Sequence, residues 1–150
     1  MTAKEYLSQA FWIDRGINSK LEQIDSLNAL ATKATTTFSE VPFSGTRNVH
    51  KTEDMIVKII DLENRIKDDM KHLVDLKAEI VHTINCVDSA EQRTILEKRY
   101  LCFLPWEDVA ADTNYSIQHV FRLHGQALKE IDEIIKMRVN ESECDTDPML

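Results

Sequence analysis

A chain of 150 residues with 43% hydrophobic content is long and apolar enough to bury a core of its own, which excludes disorder throughout. Only three Gly and three Pro occur, and Ile, Leu, Ala, Lys and Glu fill the stretches between them, a composition that favours helix and excludes a strand-rich fold. The net charge of −8 weighs against a surface that is basic throughout, because Lys and Arg on phosphates supply most non-specific nucleic-acid affinity; half of the acidic excess, however, lies in residues 132–150.

The first element opens at Thr2-Ala3-Lys4-Glu5, a capping box in which the Thr2 hydroxyl accepts from a first-turn amide and Glu5 reaches back. Leu7, Phe11, Ile17, Leu21, Ile24, Leu27 and Ala31 then recur at helical spacing and predict one apolar stripe. From Thr35 to Lys51 the pattern stops at Thr35-Thr36-Thr37, Pro42 and Ser44-Gly45, which reads as a hairpin connection. Thr52, followed by Glu53 and Asp54, is the expected N-cap of a second helix. Its stripe is Ile56, Ile59, Leu62, Ile66, Met70, Leu73, Leu76, Ile80 and Ile84. One hairpin leaves each stripe open on one side, so either a homodimer closes it or the C-terminal helices of the same chain do.

Ser89-Ala90-Glu91-Gln92 is a second capping box and starts a short helix carrying Ile95, Leu96, Tyr100 and Leu101. Pro105 suits the first helical position of a two-turn segment, Trp106 to Asp112. Thr113-Asn114-Tyr115 breaks it, and Ser116 caps a longer helix whose inward face is Val120, Leu123, Ala127, Ile131 and Ile134. The expected architecture is all-α: a long, coiled-coil-like N-terminal hairpin over 1–87, a three-helix helix-turn-helix domain over 88–138, and a disordered acidic tail over 139–150. Val109, Ala110, Val120 and Leu123 are its expected small core.

At these residues a family resemblance enters. Arg93 to Tyr100, Trp106-Glu107-Asp108-Val109-Ala110, and Tyr115 to His124 followed by Ala127-Leu128 resemble region 4 of bacterial sigma factors in order and spacing. With the opening Met1 to Leu7 and the segment Ser44 to Val49, nearly the whole chain resembles phage and prophage transcriptional regulators of the ArpU- and RinA-like kind. The resemblance implies that residues just after the Ser cap face the major groove of double-stranded DNA, which selects Ser116, Ile117, Gln118, His119, Phe121 and Arg122. Ile117 and Phe121 stand where sigma factors often carry Arg, so they are expected to touch a thymine methyl or a protein partner such as RNA polymerase.

Other chemistries find less support. Glu79-Ile-Val-His82 and Asp69-Met-Lys-His72 have the carboxylate-x-x-His spacing of metal bundles, but helix one offers only Asp14 as a further inward acid, so no metal or cofactor is expected. His119 and His124 read as DNA-facing or surface residues, and Cys102, beside Phe103 and Leu104, as a small core residue. No nucleophile motif or phosphate loop is present, so no catalytic residue is assigned. The odd, dispersed cysteines fit a reducing cytoplasm, and neither a signal peptide nor a membrane span is expected. Two alternatives to a DNA-binding regulator stay open: a DNA-packaging protein of the small terminase type, and a polymerase- or sigma-binding protein without DNA readout.

Overall fold

Residues 1–38 and 45–144 are described in this computed structural model, with side chains described for 1–33 and 51–142. Among the described residues the fold is all-α, with no strand. In chain order the helices are α1 (Ala3–Phe38), α2 (Gly45–Asn85), α3 (Ala90–Leu96, continued by a π-helical turn Glu97–Leu101), α4 (Trp106–Thr113) and α5 (Ile117–Cys144). No helix among the described residues is long and apolar enough to cross a membrane.

The Thr2 capping box forms in both directions: the Thr2 amide donates to Glu5 Oε2 at 2.8 Å, and the Glu5 amide donates to Thr2 Oγ1 at 3.2 Å. These contacts hold the Glu5 carboxyl below its ordinary pKa, the Thr2 backbone amide most of all. The other end of α1 differs from expectation. Helix continues through Thr35-Thr36-Thr37 to Phe38, and α2 begins at Gly45, so Thr52 lies two turns inside it and is not its cap. Each threonine costs only a few tenths of a kcal/mol against a good helix former, which a helix already running absorbs. The remainder of the expected connection, 39–44, lies outside the described residues.

Packing divides the chain into two compact units, which cut across the expected boundary at residue 87. One unit is Ile13–Leu73, the pairing of the distal parts of α1 and α2. Among the described side chains of this unit only Ile17 and Ile66 are buried, whereas Ile13, Ile24, Leu27, Ile59, Leu62 and Leu73 are half-buried. The Lys20 ammonium donates to Asp69 across the pair. Three residues assigned to the inner stripes face outward: Leu21, Ile56 and Met70 are 46%, 49% and 53% exposed. Met55 and Asp69, one position earlier on α2, take the half-buried places, because one residue turns the helix by ~100°.

The other unit comprises Met1–Trp12 and Val74–Leu150. Its core joins Ala3, Tyr6, Leu7 and Ala10 of α1 to Leu76, Ile80, Ile84 and Val87, and to Ile95, Leu96, Tyr100, Val109, Val120, Leu123, Ala127 and Ile131. Thr83 is the buried polar centre. Its hydroxyl donates to Glu79 O at 3.1 Å, receives a 2.7 Å hydrogen bond from Arg138 Nη1, and lies 3.1 Å from the Tyr6 hydroxyl. Burial raises the Tyr6 phenol above its ordinary pKa. The Ala3 amide, an orphan donor at the start of α1, donates to Asp132 on α5 at 2.7 Å. α5 itself continues to Cys144, so residues 139–144 are helical where an unstructured tail was expected; 145–150 lie outside the described residues. Glu141 and Ser142 do not interrupt the helix, and the Ser142 hydroxyl donates back to Arg138 O at 3.0 Å.

Candidate nucleic-acid interface

The candidate interface is built from α3, α4 and α5, whose start signals are all local. Ser89 Oγ accepts from the Gln92 amide at 3.3 Å, as a capping serine does. Arg93 is half-buried, and its guanidinium donates to the carbonyls of Val87 and Asp88 just beyond the end of α2. After Leu96 the helix widens to π, with Cys102 N donating to Glu97 O at 3.0 Å, and Phe103 turns the chain at φ 58°. This places Phe103 and Leu104 half inside and leaves Cys102 exposed, contrary to its expected core position. Pro105 also shifts by one place. It is the N-cap of α4, with ψ 155°, and its carbonyl accepts from the amides of Asp108 and Val109.

The turn between α4 and α5 is tight. Asn114 adopts the left-handed conformation (φ 58°, ψ 27°), and the Tyr115 amide donates to Ala110 O at 3.2 Å. Ser116 then caps α5, accepting from the His119 amide at 3.2 Å. Ile95, Val109, Val120 and Leu123 form one closed core, with Leu104, Trp106, Ala110 and Tyr115 packed on it. Three of the four expected core residues lie inside and Ala110 lies half inside; Ile95 on α3 is the member that the motif alone did not indicate.

The six residues selected from the sequence separate by exposure. Ser116, Gln118, Phe121 and Arg122 are exposed, while Ile117 and His119 are half-buried. Gln118, Arg122 and Lys129 share one exposed face of α5, at intervals that match its turns. Arg122 Nη2 lies 3.1 Å from His119 Nδ1, and the His119 ring meets Tyr115 edge-on at 4.7 Å. Phe121, 47% exposed, lies edge-on to Trp106 at 5.3 Å. Arg99 stacks over the same Trp106 ring at 4.5 Å.

His124 does not belong to this surface, although it was expected there. It is half-buried between Tyr100, stacked at 5.7 Å, and Trp106, edge-on at 4.5 Å, and its Nε2 shares a 2.7 Å hydrogen bond with the Tyr100 hydroxyl. Burial, then the positive charges of Lys4 and Arg99, push its pKa down to about 4. Burial drives the Tyr100 phenol up to about 12. The pair is therefore uncharged near neutrality.

The sequence carries a further electrostatic signal at the start of α5. From Ile117 to Lys129 α5 has no Asp or Glu, in a chain with 26 acids, and its charged residues there are Arg122 and Lys129. The acids that follow serve elsewhere: Glu130 accepts from the Asp88 amide at 3.1 Å, and Asp132 from the Ala3 amide. The carboxylates of the metal-like spacings are likewise engaged, Asp69 by Lys20 and Glu79 by the Tyr6 hydroxyl at 3.2 Å.

Comparison with known proteins yields one match: residues 30–132 fit the model of a family described as a protein of unknown function (DUF1492). No match is found among curated proteins or among solved structures.

Proposed function

The chain belongs to the DUF1492 family, and we propose that it is a phage or prophage transcriptional regulator that binds double-stranded DNA through the start of α5. The observation that carries this reading is the acid-free helix start, Ile117 to Lys129, presenting Gln118, Arg122 and Lys129 from a capped helix over a closed three-helix core. A helix so placed enters the major groove with its first turns against base edges. Gln118 has the donor and acceptor pair that matches adenine, and Arg122 the fork that matches guanine N7 and O6. Ser116 and the first free amides of α5 suit a backbone phosphate. The resemblance to sigma region 4 and to ArpU- and RinA-like regulators points to the same surface, with a homodimer as the binding unit and the bacterial cytoplasm as its place. No catalytic, metal or cofactor role is part of this reading.

The test is a binding titration of the full chain on genomic fragments selected for affinity and on scrambled duplexes, at several salt concentrations. Gln118→Ala with Arg122→Ala should abolish the preference for the selected sequence while the circular dichroism spectrum stays helical. Unchanged binding by this folded double variant would remove the groove-reading role from α5. A second reading rests on Phe121, which leaves 47% of its surface exposed beside Trp106: a protein surface, with RNA polymerase as its partner. Loss of polymerase binding by Phe121→Ala, with DNA binding intact, would favour it.

A further inference from the structure

α2 carries an inner, mainly apolar seam and beside it an outer seam of mixed apolar and charged residues. The inner one, Met55, Ile59, Leu62, Ile66, Asp69 and Leu73, faces α1 and is buried or half-buried. The outer one is rotated by one residue: Ile56, Ile60, Glu63, Lys67 and Met70 follow the alternating four- and three-residue steps of a heptad, and all five are exposed. Ile56, Ile60 and Met70 are 49%, 50% and 53% exposed, and neighbouring Val57 is 65% exposed. An exposed heptad seam beside an occupied one is the pattern of a helix that packs against two neighbours.

The two charges inside the outer seam select the occupant and its direction. Among the described residues neither Glu63 nor Lys67 takes part in an ion pair. If a second copy lay parallel and in register, Glu63 would meet Glu63 and Lys67 would meet Lys67. In an antiparallel copy whose dyad passes level with residue 65, Glu63 meets Lys67 of the partner, and Ile60 meets Met70 of the partner. The dyad makes both pairings occur twice. Such a patch is complementary to itself and closes a two-fold dimer.

We propose that the outer face of α2 from Ile56 to Met70 is an antiparallel docking surface for a second copy of this chain, with Glu63 of each copy set against Lys67 of the other. The proposal specifies the dimer surface of the functional reading above and does not depend on DNA recognition.

Cross-linking of the full chain tests it, in a background in which Cys86, Cys102 and Cys144 are replaced by Ser. Ile60→Cys and Met70→Cys chains, mixed and treated with a short bis-maleimide, should give a cross-linked dimer. Each alone should not, because its two thiols would stand about 15 Å apart along the antiparallel helices. Cross-linking of Ile60→Cys to itself but not to Met70→Cys would establish a parallel pair and overturn the proposal. Charge reversal gives a second readout with no loss of packing. Glu63→Lys should raise the dimer dissociation constant about tenfold, and Glu63→Lys with Lys67→Glu should restore it. A wild-type chain that sediments as a monomer at tens of micromolar overturns the proposal outright. DNA binding by such a monomer would keep the DNA-reading role of α5 and remove the homodimer from the functional reading, and a cross-linked antiparallel dimer that binds no DNA would keep the docking surface and remove that role.

Discussion

Thr83 shows how one side chain joins distant segments. Its hydroxyl is shared by Tyr6, Glu79 and Arg138, so Thr83→Val keeps the shape, removes the acceptor of Arg138 Nη1 and leaves the Tyr6 hydroxyl only its contact with the Glu79 carboxylate. A loss of about 1 to 3 kcal/mol in denaturant unfolding is expected, and Thr83→Ser should recover most of it. Residues 122 and 123 separate surface from core. Arg122→Ala should leave the melting temperature unchanged and weaken cognate binding by about 1 to 3 kcal/mol. Leu123→Ala should instead lower stability by about 2 to 5 kcal/mol through the cavity it leaves in the small core. His124 predicts a pH dependence. Its folded pKa of about 4 lies below the ordinary value, so the unfolded chain binds the extra proton first. Its contribution is complete above pH 6.5 and is lost as pH falls from 6.5 to about 4. Thermal melts from pH 7 to 4 should therefore fall more steeply for the wild type than for His124→Gln. Parallel curves would show that the ring accepts a proton where it stands.

At the scale of elements, the turn between α4 and α5 depends on one left-handed residue. Asn114→Gly should be nearly neutral and Asn114→Ala should cost about 1 kcal/mol, read as a shift of the denaturant midpoint. The starts of α1, α3 and α5 were legible because caps act within one turn: Thr2 begins α1, and the serines at 89 and 116 cap α3 and α5, whereas α2 starts at Gly45, ahead of the expected cap Thr52. The stops were less legible. Thr35 to Thr37 and Gly45 disfavour helix only weakly and lie within it, and the π turn after Leu96 has no sequence signature.

Across the whole molecule, charge is divided by place. The C-terminal stretch 139–150 carries four acids, and the described side chains of 139–142 are exposed. Its removal should leave the melting temperature within a few degrees and raise DNA affinity modestly, most at low salt, where repulsion of phosphate is least screened. A large drop in melting temperature would show that the stretch is docked. Helical class, the capped starts and the apolar identity of Val109, Val120 and Leu123 were determined by the sequence alone, since propensity, capping and periodicity act over a few residues. Tertiary structure decided that Leu21, Ile56 and Met70 face outward, that His124 lies between Tyr100 and Trp106, and that Asp132 receives the first amide of α1. Stripes of 36 and 41 residues admit more than one apolar face, and the choice among them is made by contacts between segments that spacing does not encode.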